Sequence, residues 1–279
     1  MAIELAQKYL PYVDEIFTQE SKKSLLTNQD FSFDGAEAVK LYKINTAVMN
    51  DYGRNGAKTG NWSRYGEVKD LEATTEHAFL TRDRSFTFVV DTLDCDETGG
   101  ALKSASALAR QLREVVIPEV DTYTYGVMCN NAGHKPSAIA LTADNIYDEI
   151  IKASAALDDA LVPETGRVLT VTPSVYLLMK KCKDITMETE IGNDMRLKGV
   201  ISSIDGADII KISAARLPEN FGFMLSHKCA CCAPTQLAAY HTHQDPPGIS
   251  GELVEGRIVY DAFVFENKAK AIYYQEMAV

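Results

Sequence analysis

Residues 101–128 read ALKSASALARQLREVVIPEVDTYTYGVM. In that run Ala101, Ala105, Leu108, Leu112 and Val115 fall at i, i+4, i+7, i+11 and i+14, the stripe of an amphipathic helix. Pro118 lacks a backbone donor and is expected to kink or end the helix. A helix that resumes to Tyr125 has about 27 residues and spans ~40 Å. That is long for a single compact domain. Asp94, Asp96 and Glu97 precede it, where the helix dipole favours negative charge. The same DCDETGG stretch invites a calcium loop, with Thr98 fifth and Gly99 sixth. Ala105 then stands where the closing bidentate Glu belongs, so helix-start electrostatics is the better account.

Upstream, the period is different. Residues 2–26 carry Leu5, Tyr9, Tyr12 or Val13, Ile16 and Phe17 at loose helical spacing, interrupted by Pro11. From Asp30 to about Thr46 the pattern is extended. MNDYGRNGAKTGNWSRYG, rich in Gly, Asn, Ser and Lys, reads as a long exposed loop. Phe86, Phe88 and Val90 alternate with Ser85, Thr87 and Val89, a period of two. Two long strands around 66–92 are expected to form a hairpin with little apolar content at its far end. Such a hairpin is marginal alone in water and needs a partner surface.

Downstream, Ile146, Ile150, Leu157 and Leu161 repeat a helical stripe. A strand, RVLTVTP, and a short helix, SVYLLMKKC, follow. Asp205-Gly206 between β-branched runs signals a hairpin. RIVYDAFVFENKAKAIYYQ reads as a second hairpin turning near Asn267. Helices and strands interleave, which makes the chain α+β.

The chain has 279 residues, 46% hydrophobic and 24% charged, enough for a sizeable core. Its 28 basic against 39 acidic residues leave a net charge of −11. That argues against a surface that grips nucleic acid as a whole. No apolar run reaches the ~18 residues of a membrane span, and the N-terminus lacks the order of a signal peptide. With no export signal, six cysteines read as thiols in a reducing compartment and not as three disulfides.

SHKCACCAPTQLAAYHTHQ, residues 226–244, holds three of those cysteines and three of the five histidines. Zinc requires four converging ligands, often drawn from a C-x2-C turn. The spacing here is Cys229-x-Cys231-Cys232. On a strand over 221–233, His227, Cys229 and Cys231 share one face, but His227 and Cys231 are ~13 Å apart. The expectation is packing, because Cys behaves as a small hydrophobe; zinc or thiol chemistry is the alternative. Phosphate-binding, dinucleotide-binding, nucleophile-elbow and HExxH motifs are absent from the sequence, and abundant carboxylates are no glycosidase signature. TRDRS places Arg82, Asp83 and Arg84 together on the expected hairpin. They form either a solvated edge, where isolated pairs contribute ~0–1 kcal/mol, or a contact to a neighbouring subunit.

An arm needing support, an under-packed hairpin, an overlong helix and no catalytic constellation occur here in a definite order. That order resembles the major capsid proteins of tailed bacteriophages, the Hong Kong 97-type fold. The resemblance is carried by MNDYGRNG, LTRDRSFTFVVDTLDCDET, ALARQLREVVIPEVDTYTY, DNIYDEIIKASAALDDALVPETGRVLTVTPSVYLLM and GRIVYDAFVFENKAKAIYY. It runs from about residue 30 to the end.

The resemblance implies an N-terminal arm over 1–45 and an extended β-hairpin loop over 46–92. It implies a peripheral domain with a long spine helix over 93–134 and 253–279, and an axial domain over 135–252. It also implies pentamers and hexamers of the chain closing into an icosahedral shell around double-stranded DNA, held without sequence-specific contacts. A portal and a separate scaffolding protein are the expected partners, since there is no room for a cleavable scaffolding segment before the arm. The virion capsid is the expected location, with host cytoplasm during assembly. No enzyme activity, cofactor, metal or membrane is expected. Arg82, Asp83, Arg84 and Trp62 are the candidate contacts between subunits. Lys58 and Lys69 lie in the expected loop, but no Lys, Asn and Glu align with the family's isopeptide trio, so cross-linking is not expected. The alternatives are an encapsulin-like compartment and, in another class, a zinc- or thiol-dependent protein using Cys229, Cys231 and Cys232.

Overall fold

The computed structural model describes residues 21–28, 38–44, 46–56, 62–68, 70, 73–93, 104–182, 185 and 203–278. The chain divides into two units, one of residues 1–32 with 81–279 and the other of 33–80.

The larger unit is organised by the long helix. Ser104–Gln111 is α-helical, Leu112–Val116 is a π-turn, and Ile117–Asn130 is α-helical again. Backbone angles remain helical through both junctions, so these form one 27-residue helix, spanning 104–130, ~40 Å long. The helix neither ends nor breaks at Pro118. The Ile117 N–H reaches back five residues to the Leu112 carbonyl, and this wider turn accommodates the donor that proline lacks and its clash with the carbonyl four residues back. The extra residue also shifts the stripe. Val115, expected to be covered, is exposed, while Leu112, Val116 and Val120 face inward.

The first part of this helix packs on a three-stranded antiparallel sheet of Arg82–Asp91, Gly251–Tyr260 and Thr235–Gln244, with Gly251–Tyr260 central. Phe86, Ile258 and Tyr260 meet Leu112, Val116 and Val120 there. The later part lies against a five-stranded sheet ordered Ile272–Glu276, Phe221–His227, Arg167–Val171, Ala207–Lys211, Ser203–Ile204. Only Arg167–Val171 with Ala207–Lys211 is a parallel pair.

Both faces of this sheet are covered, which explains the continuous apolar runs of RVLTV and FGFML. Leu169, Val171, Phe223, Leu225 and Tyr273 face helices Ile146–Asp159 and Pro173–Lys181. Val168, Met224, Ile272 and Tyr274 join Tyr125, Met128 and Leu26 on the other side. Leu26 lies on a short helical turn, Lys23–Leu26, and residues 21–28 strap the core. Ser21 Oγ donates to Asp121 Oδ1 at 2.7 Å, and the Asn28 N–H donates to the Cys231 carbonyl at 2.7 Å.

Several local expectations hold. Asp205 (φ 47°) and Gly206 (φ 74°) turn Ser203–Ile204 into Ala207–Lys211 as the sequence predicts. Ile146, Ile150 and Leu157 are buried on one helix face. Leu161 is not. Its helix ends at Asp159, and Leu161 takes the left-handed position (φ 56°) that caps it, fully in solvent. The Val162 N–H then closes on the Leu157 carbonyl at 3.0 Å.

Three expectations are corrected. The strands of 66–92 do not pair with each other: Arg82–Asp91 pairs with Gly251–Tyr260, and Ala73–Phe79 pairs with Ala38–Ile44. With no two-residue turn chemistry between them, non-local ladders win. The C-terminal run is not a hairpin. Phe263–Val264 pairs with Cys231–Cys232, a 3-10 turn Glu266–Ala271 follows, and Ile272–Glu276 enters the five-stranded sheet. The strand expected over 221–233 stops at His227, where a 3-10 turn, Lys228–Ala230, intervenes. The early helix over residues 2–20, the DCDETGG stretch, Lys58 and Lys69 lie outside the described residues.

Asp261 fixes the corner after Gly251–Tyr260. Buried, it accepts the Thr81 N–H (2.8 Å), Thr81 Oγ1 (2.7 Å), Tyr123 OH (2.9 Å) and Ala262 N–H (2.7 Å). Asp261→Ala removes the acceptor from all four donors and is expected to lower stability by about 3 kcal/mol. Asp261→Asn, which keeps an oxygen, is expected to lose less. Urea midpoints of the unassembled chain decide it; an unchanged midpoint would show the corner to be held by packing alone.

Candidate assembly surface

The 33–80 unit pairs Ala38–Ile44 with Ala73–Phe79 over seven residues, and the chain between them is irregular. A tight turn bends it at 53–56, where a Cβ on Gly53 would collide with the Gly56 carbonyl. The Gly53 N–H reaches the Arg64 carbonyl at 2.9 Å, and the Tyr52 and Tyr65 rings meet edge to face at 5.0 Å.

Among the residues of this unit whose burial is described, 46–56, 62–68, 70 and 79–80, no hydrophobic side chain is buried. Met49 is 96% exposed and Trp62 85%, and Val48, Tyr65, Val68 and Phe79 are exposed as well. Ordering the backbone costs ~1–2 kcal/mol per residue. Burying Val48, Met49 or Val68 contributes about 1.5–3 kcal/mol each. The unit leaves that stabilisation unused, and so large an apolar exposure marks an interaction site.

The charged triplet sits at the start of the strand Arg82–Asp91. Arg82 and Arg84 face the long helix: the Arg82 guanidinium lies 4.7 Å from the Tyr123 ring centroid, and Arg84 Nε donates to Glu119 Oε1 at 2.8 Å. Tyr260 OH donates to the same oxygen at 2.9 Å, and its phenol is pushed up to about 12 by burial and by Glu119. Asp83 takes Arg257 Nε at 2.8 Å, a contact that holds its carboxyl below the usual carboxylate range. The triplet is thus more than a bare solvated edge, since each member has an intramolecular partner and Arg84 and Asp83 remain half exposed. Arg82–Asp91 and Thr235–Gln244 are the outer strands of their sheet, so each presents one ladder edge.

The cysteines separate. Cys231 and Cys232 are buried against Phe263–Val264, and burial lifts their thiols to about 12 and about 11. Cys129, inside the second core, is raised to about 12 in the same way. Cys229 is partly buried on the 3-10 turn with His227 Nδ1 at 2.9 Å from its sulfur. None of the five described cysteines is in a disulfide. Among the described residues no three His, Cys, Asp or Glu side chains are grouped to hold a metal, and no helix is long and apolar enough to cross a membrane.

The fold is shared with chains from phage particles. One from Mycobacterium phage Che8 superposes with a TM-score of 0.77 at 20% identity, over 98% of this chain and 96% of that one. One from the capsid structure of cyanophage P-SCSP1u gives 0.74 at 12% identity, over 99% and 93%. One from the asymmetric unit of the mature capsid of bacteriophage PhiM1 gives 0.72 at 13% identity, over 100% and 92%. No protein-family model and no curated protein matches the sequence. The chain has the α+β Hong Kong 97-type capsid fold along essentially its whole length.

Proposed function

We propose that this chain is the major capsid protein of a tailed bacteriophage, a structural protein that assembles into pentamers and hexamers and closes into an icosahedral shell around double-stranded DNA. One observation carries this: a 33–80 unit with no described buried hydrophobic residue, in a chain with a capsid fold. Residues 46–92 act as the extended loop laid on an adjacent subunit, and 1–45 as the arm. Residues 93–134 with 253–279 form the peripheral domain and 135–252 the axial domain. Trp62, with the outward sides of Arg82, Asp83 and Arg84, supplies contacts between subunits. A scaffolding protein and a portal complete assembly in the host cytoplasm, and the DNA is contained without base recognition, in keeping with the net charge of −11. The role is structural and not enzymatic. The cysteines of 226–244 give no support to a zinc site.

Negative-stain microscopy of the expressed chain, alone and with a candidate scaffold, tests the proposal. Closed shells of uniform diameter are expected. A monomer under every solvent condition would overturn it. Shells that co-purify with a stoichiometric cargo protein would instead mark an encapsulin-like compartment.

A further inference from the structure

His227 and Cys229 form a close pair at the end of the strand Phe221–His227. His227 Nε2 lies 3.0 Å from the Thr165 carbonyl oxygen, which can only accept, so Nε2 carries the ring proton. Nδ1 of the neutral ring is then a bare lone pair. It accepts the Cys229 backbone N–H at 3.2 Å and lies 2.9 Å from Cys229 Sγ. The ring is held from three directions. Thr165 fixes one nitrogen and the Cys229 backbone the other, and Gly166 (φ +85°) brings the 163–166 turn close, with the site of its absent side chain 3.5 Å from Nε2.

This is the geometry of a nucleophile with an oriented base. The thiolate is the reactive form of cysteine. Transfer of the Cys229 proton to Nδ1 leaves an imidazolium whose Nε2–H is held by the Thr165 carbonyl and whose Nδ1–H faces the sulfur, while the Cys229 N–H gives up Nδ1 as its acceptor for the length of the step. Cys229 is only partly buried, whereas Cys129, Cys182, Cys231 and Cys232 are buried. The turn Lys228–Ala230 produces this difference by lifting Cys229 off the strand line that Cys231 rejoins.

We propose that Cys229 is a reactive thiol and a site of modification by low-molecular-weight disulfides, with His227 as its base. In the step, Cys229 Sγ gives its proton to His227 Nδ1 and attacks one sulfur of the disulfide. The S–S bond breaks as the mixed disulfide forms. The departing thiolate recovers the proton from His227, so the ring returns neutral and no other oxidant is consumed.

The test uses the whole purified chain and oxidised glutathione, with sites and rates followed by peptide mass mapping. At pH 7 Cys229 is expected to form the mixed disulfide at least about tenfold faster than a free small-molecule thiol of ordinary pKa. His227→Asn is expected to remove that advantage and return the pH–rate profile of Cys229 to that of an ordinary thiol. His227→Gln, which can still donate to Thr165, keeps the turn in place without the base and is expected to behave like His227→Asn. The proposal fails if Cys229 reacts no faster than the free thiol. It also fails if both His227 variants, melting as the parent does, leave the rate and the pH profile unchanged.

Discussion

A chain lacking residues 56–64 is expected to fold and yet form no closed shells. The deletion removes Trp62 and part of the loop that joins Ala38–Ile44 to Ala73–Phe79, and no described side chain in it is buried. Thermal melting of the 81–279 body should therefore stay within about 0.5 kcal/mol of the parent, the range of surface changes. Assembly should suffer far more. Hot-spot aromatics at interfaces often account for 2 kcal/mol or more each, and at one copy per subunit such a loss raises the concentration needed for assembly more than tenfold. Trp62→Ala is the graded form, with the same direction and a smaller size. Sedimentation and negative-stain microscopy read both variants. Normal particles from the deletion would remove the loop from the contacts between subunits.

The largest effect expected on folding itself is at Asp121. Its carboxylate, buried on the long helix, pairs with the buried Arg216 guanidinium at 3.0 Å and accepts Ser21 Oγ at 2.7 Å. Burial raises its pKa above the usual carboxylate range, while Ser21, Arg216 and Lys23 pull the other way. Asp121→Ala leaves a buried cation without this carboxylate and is expected to cost about 3–5 kcal/mol. Because the folded-state pKa is raised, the ionised carboxylate carries a cost that is complete above that pKa and is relieved as pH falls through it. The Asp121→Ala deficit should therefore widen on acidification, not narrow, because the parent sheds this cost and the variant has no such group to protonate. Urea midpoints of the unassembled chain at neutral and mildly acidic pH provide the measurement. Replacing both partners by apolar residues, Asp121→Leu with Arg216→Met, should recover much of the loss. A single-variant loss below 1 kcal/mol would mean that the pair is solvated.

What was legible in the sequence is what is local. The Asp205-Gly206 turn and the buried face of Ile146–Asp159 follow from residues within a few positions of one another, and the burial of Cys231 and Cys232 from the apolar character of the thiol. What was not legible depends on distant partners. Arg82–Asp91 alternates as a strand should, but nothing in it says that its mate lies at Gly251–Tyr260, some 170 residues away in Arg257 and Asp83. The π-turn was hidden because Leu112 and Val115 satisfy an ordinary helical stripe; only Pro118 hinted that the register could not continue unchanged. The exposed loop was readable as composition, Gly, Asn and Ser without a periodic face. The inward partners of Arg82 and Arg84 were not, because Tyr123 and Glu119 sit on another element.

The π-turn before Pro118 divides one rod into two parts with a shift in angular register between them. The part before it packs on the three-stranded sheet, and the part after it meets both sheets, through Val120 and Tyr123 on the three-stranded one and Tyr125 and Met128 on the five-stranded one. Losing a single residue between Leu112 and Val116 would swing the leading half by ~100° about the axis and withdraw it by ~1.5 Å. Every contact from Ser104 to Gln111 would then be misaimed. Side chains on the outer face of this helix can vary, but its count cannot.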